Sequence, residues 1–319
     1  MTHKNLIRSV FCLGLALFTS LPMASQASES VQLERDEVVL HGSLHRVEAS
    51  RVLVILHAGS GPTDRNGNQP GMSNNALGML AEGLVEAGFS VLHYDKRGIG
   101  ESVSSQPEAE LRPGHYVEDL AAWVDWAGAH HPDQLVVLMG HSEGGLFAKA
   151  AAQTRPDRVA AVVTLAAAGR PAAELLIEQT QGRLAHLEQA FSDILDNLLA
   201  GQTVDDVPPL LNALFRPSVQ PYLIDWLAMQ PTELAAGLAQ PLLVVGGSTD
   251  LQVSRVDFEA LAREARDSAW IDGMNHVLKA SEGPIESQLA SYMAADLPLH
   301  PGLLPVLTRF LDGLVGGRS

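Results

Sequence analysis

Five short apolar runs, each ending in small or polar residues, most constrain what this chain of 319 residues can fold into. They lie at 51–56, 90–94, 134–139, 159–165 and 241–245, and a shorter one follows at 268–271. Near-continuous Val, Leu and Ile runs of this length fit strands covered on both faces, as in a parallel sheet. Helical spacing fills the intervals. Leu77, Leu80, Leu84 and Val85 share one face of 74–88, and Val117, Leu120, Ala121, Val124 and Trp126 recur through 116–128. Strand and helix alternate in units of roughly 35–45 residues, which predicts an α/β fold with functional loops at the carboxyl ends of the strands. Further helices are expected at 146–153, 255–265 and 301–314. Residues 31–48 alternate loosely around His41-Gly42 and are expected as an antiparallel strand pair at a sheet edge.

The rhythm breaks at 171–240, which has no strand candidate and carries prolines at 208, 209, 217, 221 and 231. Three or four helices forming an inserted cap are expected there, with 174–199 as one long helix or two. Most of their apolar faces should pack on the sheet domain, with Phe215 and Trp226 as candidates for lining a substrate pocket. The expected division is a signal peptide at 1–27, a core domain at 28–170 and 241–319, and the cap between.

The signal rests on Lys4 and Arg8, the apolar stretch 10–21, and Ala24-Ser-Gln-Ala27, whose small residues suit cleavage after Ala27. Its product is expected in the periplasm or the medium, without stable membrane association. Cys12 is the only cysteine, so the mature chain has no disulfide, thiolate metal site or cysteine nucleophile. Cleavage removes two cations and no acid, taking the formal charge from −16 to −18. So acidic a surface argues against nucleic acid or an anionic membrane as partner.

The chemistry concentrates after the strands. Gly140-His141-Ser142-Glu143-Gly144 closes an apolar strand and opens a helix, the order a nucleophile elbow requires. A serine hydroxyl is a weak nucleophile at neutral pH and needs a base within reach, itself oriented by a carboxylate. Asp250 follows the strand beyond the cap, and His276 follows the last strand. The order Ser, Asp, His is the one that accompanies this elbow. Asp257 sits inside an expected helix and Asp272 stands too near His276 in a turn, so both are weaker candidates. His141 is expected to point away from Ser142 in a structural role. Two backbone N–H groups should bind the developing oxyanion. Glu143 supplies one, and Ser60, with Gly61 as fallback, supplies the other from the Gly- and Asn-rich loop 59–68. An Asp64–Arg65 ion pair is expected to hold that loop. His41 and His45 have ligand-like spacing but lack the Glu of the zinc-protease motif, so neither a metal nor a cofactor is expected.

Taken together, Gly140-His-Ser142-Glu-Gly144, Asp95-Lys-Arg97-Gly98-Ile-Gly100-Glu-Ser102, Gly246-x-x-x-Asp250-x-x-Val253 and Asn275-His276 resemble the α/β-hydrolase superfamily. The loop 59–68 is similar to that of a bacterial branch of serine aminopeptidase-like hydrolases and small carboxylesterases. The resemblance covers about 31–170 and 241–315, not the expected helical cap, and implies a Ser142–Asp250–His276 triad and oxyanion donors at Ser60 and Glu143 on a mostly parallel sheet with helices on both faces. Its loop departs from many members in one respect: Ala58 separates His57 from Gly59. The expected activity is that of an exported serine hydrolase, a carboxylesterase on small to medium acyl esters. An aminopeptidase or amidase is the alternative, ahead of a thioesterase or a catalytically silent binding protein on the same fold. Oligomeric state is not legible.

Overall fold

In the computed structural model, residues 28–35, 37–180 and 186–316 are described. The expected signal peptide and its cleavage point lie outside them. Strands β1 (Glu29–Arg35) and β2 (Val38–His45) pair antiparallel, with Arg35 opposite Val38. The reversal therefore falls before His41-Gly42, which lies inside β2. Gly42 is there for packing rather than turning: a Cβ would come within 3.0 Å of Leu92 Cδ1 and 3.3 Å of the His93 carbonyl.

The parallel body follows: β3 (Val52–His57), α1 (Ala76–Glu86), β4 (Ser90–Tyr94), a short β5 (Val103–Ser104), α2 (Pro113–His130), β6 (Leu135–His141), α3 (Glu143–Thr154) and β7 (Val159–Leu165). Next come α4 (Ala172–Thr180), α5 (Glu188–Leu199), α6 (Asn212–Phe215), α7 (Gln220–Ala228) and α8 (Pro231–Ala236). The chain closes with β8 (Leu242–Gly247), α9 (Arg255–Ala262), β9 (Asp267–Ile271), α10 (Ile285–Ser291) and α11 (Leu303–Gly316). The sheet runs β1-β2-β4-β3-β6-β7-β8-β9, with β5 on the side of β2. Every neighbour pair from β4 to β9 is parallel.

Strand alternation divides the core. Leu53 and Ile55 of β3 join Leu120, Trp123, Ala148 and Phe258 on one face of the sheet. Val52, Val54 and Leu56 join Leu77, Leu80, Val163 and Leu307 on the other. Continuous apolar runs are thus consumed from both sides, as the sequence pattern requires. The stretch expected as a cap does not place most of its apolar faces on the sheet domain: it builds its own cluster from Phe191, Ile194, Leu195, Leu198, Phe215, Leu223 and Leu227. Its last helix does not share that cluster. Ala235 of α8 joins the Trp123 face of the sheet core, and Gln153 Nε2 donates to the Leu234 carbonyl at 2.8 Å. Between β9 and α11, α10 occupies a stretch for which no element was expected.

The chain leaves β3 for β4 on one side and later places β6 on the other. The carboxyl ends of β3 and β6 are therefore adjacent, with His57 in register with Gly140. Such a point of reversed strand order opens a crevice, where sites of α/β sheets form.

Candidate active site

Ser142 stands at the tip of the β6–α3 turn with φ 53° and ψ −124°. A non-glycine residue held there stores roughly 1–3 kcal/mol of strain, which the surroundings must offset. The turn closes only because its flanks lack side chains. A Cβ on Gly140 would sit 2.1 Å from the Gly144 carbonyl oxygen, and one on Gly144 would sit 2.5 Å from that of His57. Ser142 N–H donates to the Leu165 carbonyl at 2.8 Å, fixing the tip to the neighbouring strand. The loop after β3 lies against it, so that a Cβ on Gly59 would come within 3.0 Å of Ser142 Cβ.

The carboxyl ends of β8 and β9 supply the other two expected residues. His276 Nδ1 and Asp250 Oδ2 are 2.9 Å apart, and both side chains are almost wholly buried. Asp250 Oδ1 accepts the N–H groups of Gln252 at 2.7 Å and Val253 at 2.9 Å, so the carboxylate cannot rotate freely. With Nδ1 engaged by Asp250, Nε2 of His276 carries the ring's free lone pair. The His276 loop is held by Asn275, whose Oδ1 accepts Lys279 N–H at 3.0 Å and whose Nδ2 donates to Ser291 Oγ on α10 at 2.6 Å. Ser142 and His276 line one cavity. No hydrogen bond between their side chains is present among the described residues, and such contacts often tighten only when substrate is bound.

Two backbone N–H groups stand beside the nucleophile: Ser60 lines the cavity with Ser142, and Glu143 follows Ser142 in the chain. Those of Ser60 and Glu143 have no protein acceptor among the described residues. Glu143 opens α3, where free N–H groups and the positive end of the helix favour negative charge. The loop carrying Ser60 is tied from behind. Lys96 Nζ donates to the carbonyls of Gly59 and, at 2.8 Å, Gly61, while Thr63 Oγ1 donates to that of Ser60 at 2.7 Å. Burial pulls Lys96 down to about 8, opposed by Glu143. Burial likewise pushes the Glu143 carboxyl up, opposed by Lys96 and by hydrogen bonds from Tyr222 and Ser60. Tyr222 on α7 donates to Glu143 Oε1 at 2.7 Å, the polar link from the inserted helices to the elbow.

Several expectations are corrected. His141 does not stand apart from the site: it lines the cavity, and its Nε2–H donates to the His276 carbonyl at 2.8 Å. Burial pulls its pKa down to about 4, so at neutral pH it is an uncharged donor that helps fix the His276 loop. Asp64 and Arg65 do not pair. Asp64 Oδ1 caps its own turn by accepting the N–H groups of Asn66 and Asn68, both at 2.9 Å. Arg65 instead reaches Asp95 Oδ2 at 2.6 Å, Ser43 Oγ at 3.0 Å and Glu101. Asp257 is buried against Arg170, 2.7 Å away, and closes a capping box with Ser254. Asp272 accepts from Ser248 Oγ at 2.8 Å. His45, half-buried in β2, brings its Nε2 to 3.2 Å from His93 Nε2. Among the described residues no group of three His, Cys, Asp or Glu is arranged to hold a metal ion.

The cavity over Ser142 has a volume of about 110 Å³. Its wall comes from the β3–α1 loop and the start of α1 (Thr63, Gln69, Met72, Leu77), from Val277, and from Tyr292 just after α10. Phe215 and Trp226 are not in it. Phe215 is wholly buried among the inserted helices and Trp226 packs at their edge. Sequence reasoning missed Tyr292, because α10 buries no apolar stripe that would announce it.

Sheet order, elbow and flanking loops define an α/β hydrolase. Residues 71–249 match the family described as serine aminopeptidase, S33, and the chain belongs to that family. It is 27% identical over 246 residues to esterase EstD of Thermotoga maritima, covering 73% of this chain and 57% of that protein. It is 34% identical over 74 residues to the probable aminopeptidase YbaC of Bacillus subtilis, covering 23% of each. The chain thus spans 57% and 23% of the length of these two curated relatives. Among solved structures, Est1E of Butyrivibrio proteoclasticus with bound ferulic acid superposes with a TM-score of 0.60 at 17% identity, over 89% of this chain and 97% of that one.

Proposed function

We infer that the protein is an exported carboxylesterase that works by acyl transfer through Ser142. Ser142 attacks the ester carbonyl while His276 Nε2 takes its proton. The tetrahedral oxygen is bound by the N–H groups of Ser60 and Glu143. His276 then protonates the leaving alcohol, and water, activated by the same imidazole, releases the acid. Asp250 holds the imidazole tautomer and stabilises its charged form. The observation that carries this reading is one cavity lined by a strained Ser142, by a His276 bonded to a buried Asp250, and by Ser60, whose N–H, like that of Glu143 next to the nucleophile, has no acceptor among the described residues. Export is inferred from the charged, apolar and small-residue order of residues 1–27.

The cavity supports a short acyl group. Met72, Ala76, Leu77, Val277 and Tyr292 give it an apolar wall, and its volume is about 110 Å³. The family's description and the likeness to YbaC raise a second reading, an aminopeptidase. That chemistry needs a carboxylate to hold a substrate ammonium. None of the residues lining the cavity is acidic, and the nearby Glu143 is engaged by Tyr222. The ester reading is therefore favoured. A panel of para-nitrophenyl esters from acetate to decanoate, run beside aminoacyl anilides, tests it. The account predicts a kcat/KM for two- to four-carbon esters at least about 100-fold above that for any anilide. Preference for an anilide overturns the ester reading in favour of the peptidase.

A further inference from the structure

Lys96 is a buried cation that the acyl transfer does not by itself explain. It follows β4, the strand next to β3, and reaches across to the loop that carries Ser60. Its ammonium donates to two carbonyls, those of Gly59 and Gly61. The Gly59 carbonyl belongs to the same peptide unit as the Ser60 N–H. A cation on an amide oxygen draws electron density toward it and leaves the N–H more positive, the same polarisation that makes chained hydrogen bonds cooperative. Charge-assisted bonds are also stronger than neutral ones and hold geometry better. Neighbouring contacts fix the direction of the effect. The carbonyls of residues 59, 60 and 61 all accept from side chains behind the loop, whereas Ser60 N–H has no protein acceptor among the described residues.

We propose that Lys96 is a positioning residue that orients the Gly59–Ser60 peptide and strengthens its N–H as an oxyanion donor. The proposal rests on the reading of Ser60 N–H as part of the oxyanion hole. The groups facing Lys96 come from every element packed around it. Glu143 opens α3 and favours the cation. Tyr116 of α2 lies with its ring centre 6.0 Å from Nζ. Tyr222 of α7 bonds the Glu143 carboxylate. His57 and His141, at the ends of β3 and β6, are kept neutral chiefly by burial, with Lys96 adding to that. The one cation among these groups is therefore Lys96. As the pH rises through about 8, Lys96 loses its proton and the polarisation of the Gly59–Ser60 peptide goes with it.

Carbon-detected NMR of the Gly59–Ser60 peptide in the intact protein, without substrate, tests this directly. Between about pH 6 and 10 the Gly59 carbonyl carbon and Ser60 nitrogen should shift together with a midpoint near 8, and Lys96→Met should abolish that shift. In turnover of a short ester, Lys96→Met should lower kcat about 10-fold with KM within about 3-fold, and should remove the wild-type change in kcat above about pH 8. Wild-type shifts that stay flat over this range overturn the proposal, and this arm needs no variant to fold. A titrating peptide with unaltered kcat in folded Lys96→Met also overturns it. If Ser142→Ala hydrolyses the ester as fast as wild type, the acyl-transfer reading fails instead, and the substrate-free titration tells the two failures apart.

Discussion

His276 Nδ1 lies 2.9 Å from Asp250 Oδ2, and the two side chains are 5% and 1% exposed. The contact removes the choice of tautomer from the imidazole. Asp250→Asn keeps the shape but can donate from its amide, which favours the tautomer with the proton on Nε2, the wrong nitrogen for a base. The account predicts a loss in kcat of about 10³–10⁴-fold with little change in KM. Steady-state kinetics on a short ester checks this. A loss under about 10-fold would mean that Asp250 does not orient the base.

Gly140 and Gly144 touch across the elbow more closely than any side chain permits. Gly140→Ala would place a Cβ 2.1 Å from the Gly144 carbonyl oxygen. The turn must open, so the variant should lose at least about 1–3 kcal/mol of stability and most of its activity. Thermal melting beside ester turnover measures both. A variant with the wild-type melting temperature would show that the turn has slack.

Tyr292 lines the cavity that holds Ser142, where burial pushes its hydroxyl up to about 12, opposed by Gln252 beside it. Tyr292→Ala enlarges the space. Preference should move from two- to four-carbon acyl chains toward six to eight carbons, with each added methylene worth about 0.8 kcal/mol of burial. An ester series compared between wild type and variant reads the shift. An unchanged chain-length profile would place the acyl group elsewhere.

Lys149 of α3 is wholly buried, and its Nζ has no hydrogen-bond partner among the described residues. Burial pulls it down to about 7. The unfolded chain therefore holds a proton here, between about pH 7 and 10.5, that the folded chain lacks. In that window stability contributed by this residue rises with pH, and it is lost as the pH falls toward 7. Lys149→Met should raise stability at pH 7 by about 1–3 kcal/mol and flatten the dependence. Urea denaturation at pH 7 and at pH 9.5 tests this. A variant less stable than wild type at both values would give Lys149 a favourable partner that the structure lacks.

How far the sequence could be read follows from which physical signals are local. Strands β3, β4, β6, β7 and β8 announce themselves because burial on both faces leaves uninterrupted apolar runs. The elbow was legible because its residues are contiguous and Gly140 answers to a clash with Gly144 four residues on, although Gly144 itself answers to the distant His57 carbonyl. Asp250 and His276 could be singled out by their place after strands, and the structure brings their side chains together. Three features were not legible. Ile285, Leu289 and Met293 in and beside α10 are exposed, so this helix has no inward apolar stripe. It is held instead by Asn275–Ser291 and by Lys279 on the Ala294 carbonyl, contacts with no periodicity. Phe215 and Trp226 read as pocket candidates, but the inserted helices satisfy their apolar faces among themselves. The role argued for Lys96 depends on carbonyls more than thirty residues upstream, which only the β3–β4 pairing brings near.

The central claim, that Ser142 is an activated nucleophile, is met most directly by intact-mass analysis after treatment with a fluorophosphonate. The account predicts one adduct on the wild-type protein, mapped by peptide sequencing to Ser142, and none on Ser142→Ala. An unlabelled wild type, or an adduct that persists on Ser142→Ala, would contradict it.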